Sequence, residues 1–217
     1  MTASPAPVSA TMRNKIKDLT TRLLIKNGYQ GFRFRDVAEP LQSTRANIHY
    51  YFGNKEKLVN EVVCEYMAGT IARMAEGWND PHKSLEDKIR WMMESNRQRY
   101  LQSNPTGRTA HPWSLIARMR LERDHIGEEA RKATLGFSED LERLVRNGIL
   151  AAIAKGELVA ETPVDDVTLQ LVAIANSADP ITQDDGSFDR LEQLYLAFAR
   201  IIAHAYGHKP AQQSTTS

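Results

Sequence analysis

The chain has 217 residues, 41% of them hydrophobic and 25% charged, with a formal net charge of +1. That is long enough to bury a real core and ordinary for a soluble globular protein. The longest apolar run, residues 149–154, is far too short to cross a bilayer, and the opening MTASPAPVSATMRNK lacks the apolar core of a secretory signal. One cysteine, Cys64, excludes an internal disulfide and fits a reducing cytoplasm.

The near-neutral total hides an asymmetry. Residues 1–57 hold ten Lys and Arg against four Asp and Glu, whereas the remainder holds eighteen against twenty-three. A basic head on a mildly acidic body suits a polyanionic partner for the head.

Nearly every segment has helical spacing, so the expected fold is all-α, with about nine helices and no strands. Residues 1–10 and 207–217, rich in Pro, Ala, Ser and Thr, read as flexible tails. A first helix over 11–27 carries Ile16, Leu19, Leu23 and Leu24 on one stripe, and Gly28 ends it. A second, short helix covers 33–41. Gln42-Ser43 makes a turn, and the hydroxyl of Ser43 or Thr44 caps a third helix that runs to Phe52. Ile48 and Phe52 are four apart and share its buried face.

Beyond Gly53-Asn54 a long helix spans 55–78, and Asn79-Asp80-Pro81 stops it. Ser84 caps the next, striped with Ile89, Met92, Met93, Asn96 and Tyr100. SNPTGRTAHP reads as a loop. Further helices follow over 113–122, 127–155, 163–178 and 188–206. Thr162-Pro163 caps the third of these, and ADPITQDDGS reads as the loop before the last.

Helix, four-residue turn, helix over 33–52 is a helix-turn-helix, whose second helix enters the major groove of DNA. Arg45 and Asn47 can pair with the edges of guanine and adenine, and the small Ala46 lets the helix approach closely. Thr44, Tyr50, Tyr51 and Lys55 carry donors for phosphate oxygens.

RDVAEPLQSTRANIHYYFGNKEKLV also resembles the DNA-binding signature of TetR-type transcriptional regulators. Asp36-Val37-Ala38, Thr44, Ile48, Phe52, Lys55 and Leu58 fall on that pattern with unbroken spacing, and Gly28-Tyr29 matches its Gly-aromatic end to the first helix. The likeness in sequence covers about residues 12–66. Gln42-Ser43 replaces the usual Gly-Val, so the turn is expected to lack a left-handed residue. Arg33 replaces the hydroxyl that opens the second helix and is expected to reach a phosphate. Ala46 stands for Gly and His49 for Tyr.

The resemblance implies a three-helix DNA-binding unit over 11–54 and a helical ligand-binding and dimerisation bundle over 55–206. It implies a homodimeric repressor that a small-molecule effector releases from a palindromic double-stranded operator. The last two long helices would pair with a second subunit through Leu171, Ile174, Leu194, Tyr195, Phe198 and Ile202. Trp91, Met92, Asn96, Trp113, Met119 and Phe137 are the effector-pocket candidates. Arg90, Arg97, Arg118, Arg120 and Arg123 read as a solvated face. His204 and His208 share helical spacing but lack a third ligand, and Cys64 reads as inert core. No metal cluster, phosphate loop or nucleophile elbow is evident, so neither enzyme nor cofactor is expected. An enzyme of scattered residues and a protein-interaction module are the competing readings.

Overall fold

The computed structural model describes residues 8–208, which form ten helices. They are α1 (Val8–Gly31), α2 (Phe34–Ala38), α3 (Arg45–Phe52), α4 (Lys55–Trp78) and α5 (Leu85–Ser103). Then come α6 (Leu115–Leu121), α7 (Glu128–Ala154), α8 (Val164–Asn176), α9 (Ala178–Asp185) and α10 (Asp189–Tyr206). Among the described residues the only β pairing is one antiparallel bridge between Leu158 and Gly207.

The tenth helix is α9, where the sequence reads as a loop. Pro180 lies in its first turn, where an amide hydrogen has no helical partner to lose, and Gly186 closes it at φ 67°. The expected tails are shorter than supposed. Helix α1 already runs from Val8, and Val159 N–H donates to the Tyr206 carbonyl (2.8 Å), which ties the end of α10 to the segment after α7. The rest of both tails lies outside the described residues.

Side-chain caps fix the starts of α3, α4, α5 and α6. Ser84 accepts from Asp87 N (3.1 Å) while the Asp87 carboxylate accepts from Ser84 N (3.2 Å), a reciprocal box at the start of α5. Asn54 and Ser114 cap α4 and α6. Thr162 does not cap α8: its hydroxyl donates back to the Val159 carbonyl (2.6 Å).

The most extensive helix pairing is between α4 and α7. Gly148 on α7 makes room for the buried Trp78 ring of α4, and Gly77 on α4 lies under the Trp91 ring of α5. A second contact joins bundle and head. Gly28 has φ 70°, and a Cβ there would lie 1.8 Å from the Glu122 carboxylate at the end of α6. That carboxylate accepts from Gln30 N (3.0 Å), and Arg118 of α6 donates to the Lys26 carbonyl (3.0 Å).

Candidate nucleic-acid interface

Helices α2 and α3 are joined by a turn that holds Gln42 at φ 49°. The turn therefore does contain a left-handed residue, contrary to expectation. The geometry of the turn is kept, and a side chain bears the conformation that glycine would adopt without strain. Ser43 N–H closes the turn on the Ala38 carbonyl (2.9 Å). Thr44 then caps α3 by accepting from Asn47 N (3.1 Å).

Ile48 and Phe52 are buried among Phe34, Val37, Ala38 and the start of α4, as their spacing requires. Arg45, Ala46, His49 and Tyr50 face solvent, and Tyr50 is 84% exposed. The outward face of α3 is thus the one carrying hydrogen-bonding and aromatic groups.

The remaining candidates are more constrained. Asn47 is half-buried and its amide donates to Ser43 Oγ (2.9 Å). His49 packs edge-on against Phe34, with ring centroids 4.7 Å apart, and its Nδ1 lies 2.5 Å from the Gly53 carbonyl. A carbonyl only accepts, so Nδ1 carries the hydrogen and Nε2 is the nitrogen left for a partner. Tyr51 is half-buried, and its carbonyl accepts from Arg13 (2.7 Å).

Lys55 does not stand free in solvent. Its ammonium sits 4.3 Å from the centroid of the Tyr29 ring, and burial lowers its pKa. Glu122 opposes that shift and Arg33 adds to it. Arg33 has no oxygen with which to cap α2, so Asp36 alone closes that end by accepting from Arg33 N (3.1 Å), and the guanidinium stays exposed.

Arg33, Arg35, Arg45, His49 and Lys55 come together around Phe34, lining an open concavity of about 390 Å³. Arg35 is a member that sequence reasoning passed over, although its place two residues after Arg33 was a signal. Arg13 was missed as well. It stacks 4.3 Å from the Phe52 ring centroid and pairs with Glu61, so it clamps α1, α3 and α4 together. Nothing local marks a contact across 38 residues.

Deeper in the bundle, Met92, Asn96, Trp113 and Phe137 line a small cavity of about 30 Å³ with Arg99 and Arg120. Trp91 and Met119 do not. Trp91 is spent covering Gly77, and Met119 is enclosed in the core. Asn96 bonds to side chains, donating to the Tyr195 hydroxyl (2.8 Å) and accepting from Arg99 (2.5 Å).

The expected solvated arginine face breaks up. Arg90 and Arg123 are exposed, Arg97 pairs with Glu192, Arg118 reaches α1, and Arg120 is drawn inside.

Leu171, Tyr195, Phe198 and Ile202 are buried in the subunit's own core, because α8 and α10 turn those stripes toward each other and toward α5 and α7. Ile174 is half-buried and Leu194 exposed. The large apolar side chains that these two helices leave outside are Leu169, Leu194 and Ile201. His204 and His208 are exposed, and Cys64 is half-buried with its thiol 3.7 Å from the Glu129 carbonyl.

Residues 16–62 match the family model described as bacterial regulatory proteins, tetR family. No curated protein matches the sequence. Among solved structures, a TetR-family regulator from Agrobacterium tumefaciens superimposes with a TM-score of 0.75 at 18% identity, covering 92% of this chain and 99% of that one. A TetR regulator from Chloroflexus aurantiacus gives 0.74 at 20% identity, over 93% and 98%. A putative regulator from Saccharomonospora viridis, solved in complex with choline, gives 0.71 at 16% identity, over 92% and 100%. At such identities the likeness is one of fold. Residues 16–62, with the helix-turn-helix they contain, carry the match to the tetR family of bacterial regulatory proteins, and the described residues share the fold of the solved TetR regulators.

Proposed function

We propose that the protein is a homodimeric repressor that binds a palindromic operator through α3 and leaves it when a small molecule occupies the bundle. In this reading residues 11–54 hold DNA, and 55–206 hold the effector and the second subunit. The protein acts in the cytoplasm and has no catalytic step. The observation that carries the reading is the division of α3, with Ile48 and Phe52 inside and Arg45, Ala46, His49 and Tyr50 outside. A groove-reading helix needs that division.

Arg45 is the base reader, and Arg33 and Tyr50 reach phosphates. Lys55, held over Tyr29, acts on the backbone only with its far hydrogens. The second subunit packs on the apolar patch of Leu169, Leu194 and Ile201. Two copies of α3 are then set about 34–36 Å apart, one turn of duplex. The bundle cavity, and choline in the Saccharomonospora structure, support a small-molecule effector.

The test starts with DNA fragments enriched by the purified protein, followed by gel-shift titration. Wild-type affinity should fall steeply with salt as Arg and Lys contacts release counterions. Arg45→Ala should erase preference for the selected site over random duplex, by about 1–3 kcal/mol. Arg33→Ala should weaken both alike. Wild-type binding by both variants would refute the docking, and a monomer in sedimentation at micromolar concentration would refute the dimer.

A further inference from the structure

We propose that the bundle is built to take a small organic anion, a monocarboxylate with an apolar body, which approaches between α4 and α5 and is gripped by Arg99 and Arg120. The inference rests on the regulator reading above and names the chemistry of its effector.

The inner cavity has an apolar side made by Met74, Met92, Phe137 and Leu141. Its polar side carries two guanidinium groups, and neither forms an ion pair among the described residues. Arg99 donates Nε to the Ser95 carbonyl (3.3 Å) and Nη2 to Asn96 Oδ1 (2.5 Å). Its Nη1 is sealed from solvent and has no partner. Arg120 donates to Asn176 Oδ1 (2.9 Å) and Ser138 Oγ (2.8 Å), both neutral groups. Burial lowers its pKa and no carboxylate counters the shift. Both side chains are half-buried, and Arg99 lies 5.8 Å from the centroid of the Trp113 ring. Charges drawn out of water are ordinarily paired with an opposite charge, and among the described residues these two cations around one cavity have none.

One acid does reach the lining, and it is already occupied. Asp179 accepts from Trp113 N (2.9 Å), Ser114 N (3.2 Å) and Gln183 Nε2 (2.7 Å). The balance of full charges around the cavity stays positive.

The way in is also present. A wider cleft of about 360 Å³ lies between α4 and α5, lined by Tyr66, Thr70, Arg73 and Gln98 among others. Arg99 and Met74 line both this cleft and the inner cavity, so those two side chains form the partition between them. On the cleft side Thr70 Oγ1 is a second buried polar atom without a partner. An unbranched thioether can swing aside, and a guanidinium can turn to meet an arriving carboxylate through two parallel hydrogen bonds. The inner cavity, about 30 Å³, holds roughly two waters. An apolar body therefore needs Met74 and Met92 to repack.

The test uses the full-length protein, with benzoate and hexanoate as probes and benzamide and hexanamide as their uncharged counterparts, at fixed ionic strength. Calorimetric titration and thermal shift should show the carboxylates binding at least tenfold more tightly than the amides. Arg99→Gln and Arg120→Gln, each checked by circular dichroism, should each abolish that tenfold preference. Arg90→Gln on the surface should keep it. Equal behaviour of acid and amide, no binding by either acid, or tighter binding of choline than of the acids would overturn the proposal. Gel shifts are scored separately. A carboxylate that binds while DNA stays bound keeps the anion seat and defeats its role as effector. A protein that shifts DNA but takes no carboxylate loses the anion seat alone.

Discussion

Replacing Gly148 by alanine sets two effects of opposite sign against each other. In an exposed helix interior, glycine to alanine stabilises by about 1 kcal/mol. At Gly148, however, an ideal Cβ would lie 2.4 Å from Cε3 and 2.6 Å from Cζ3 of Trp78. Ordinary carbon contacts begin near 3.5 Å, so the ring or α7 must retreat by about 1 Å. Trp78 is 1% exposed and sits in the main α4–α7 seam, which leaves little room for retreat. Overpacking of this kind costs about 1–3 kcal/mol, and the change observed already includes the propensity gain. The expected net loss is therefore about 1–3 kcal/mol, a drop in Tm of about 2–12 °C for a chain of this size. Gly136 lies on the same helix with nothing within 4 Å of its would-be Cβ. Gly136→Ala should therefore raise Tm by about 2–4 °C. Chemical or thermal unfolding of the two variants side by side decides the matter. If both rise, the Trp78 contact does not govern the α4–α7 seam and the reasoning fails.

Gln42→Gly should stabilise the head by about 0.5–1 kcal/mol, the left-handed strain relieved less the extra freedom of unfolded glycine. A lower midpoint in denaturant would contradict the strain at that turn. Thr44→Ala should cost about 1 kcal/mol and Thr44→Ser almost nothing, because only the hydroxyl caps α3; equal losses in urea titrations would locate the effect in the methyl group. Asp179 has a pKa raised chiefly by burial. Its folded form holds the proton to higher pH than the unfolded chain, so its contribution is greatest in acid and lost as pH rises through the raised value. Asp179→Asn keeps Oδ1 for Trp113 and Ser114, and Gln183 can turn its amide to suit. The variant should gain on wild type between pH 4 and pH 7 in thermal melts, and a gap that widens toward acid would reverse the sign. Tyr195 has a pKa pushed far up by burial. Stability should therefore fall above about pH 10, where the unfolded tyrosine ionises. Tyr195→Phe should flatten that fall.

Much of the head was legible because its signals are local. The i, i+4 spacing of Ile48 and Phe52 and the hydroxyl before Arg45 act within a turn or two and appear in the structure in those roles. The glycine at 28 breaks α1 at φ 70° rather than ending it, and a last turn continues to Gly31. Gln42 was not legible, since a turn imposed by its neighbours overrode the preference of the residue itself. Helix α9 was hidden by a composition that suits loops, yet Asp179 and Pro180 both fall in its first turn, where a helix accepts them. The stripes on α8 and α10 were seen, but periodicity gives a face and not its neighbour, so Leu171, Tyr195, Phe198 and Ile202 were given to a second subunit when their own core encloses them. The cavity was least readable. Arg99 and Arg120 stand on different helices, and only the fold reveals that neither meets a carboxylate.

The clamp formed by Arg13 bears on how much ordering a duplex must impose. An eight-residue helix such as α3 would melt in water by itself. Here it is threaded by Thr44 at one end, roofed by Phe34 on His49, and bound through the Tyr51 carbonyl and the Phe52 ring to a neighbour that is itself salt-linked to α4. The rod is formed before any nucleic acid arrives. In the proposed docking, what freezes on contact is confined to a few long side chains, Arg45 and Tyr50 foremost, so most of the attraction is left to show as affinity.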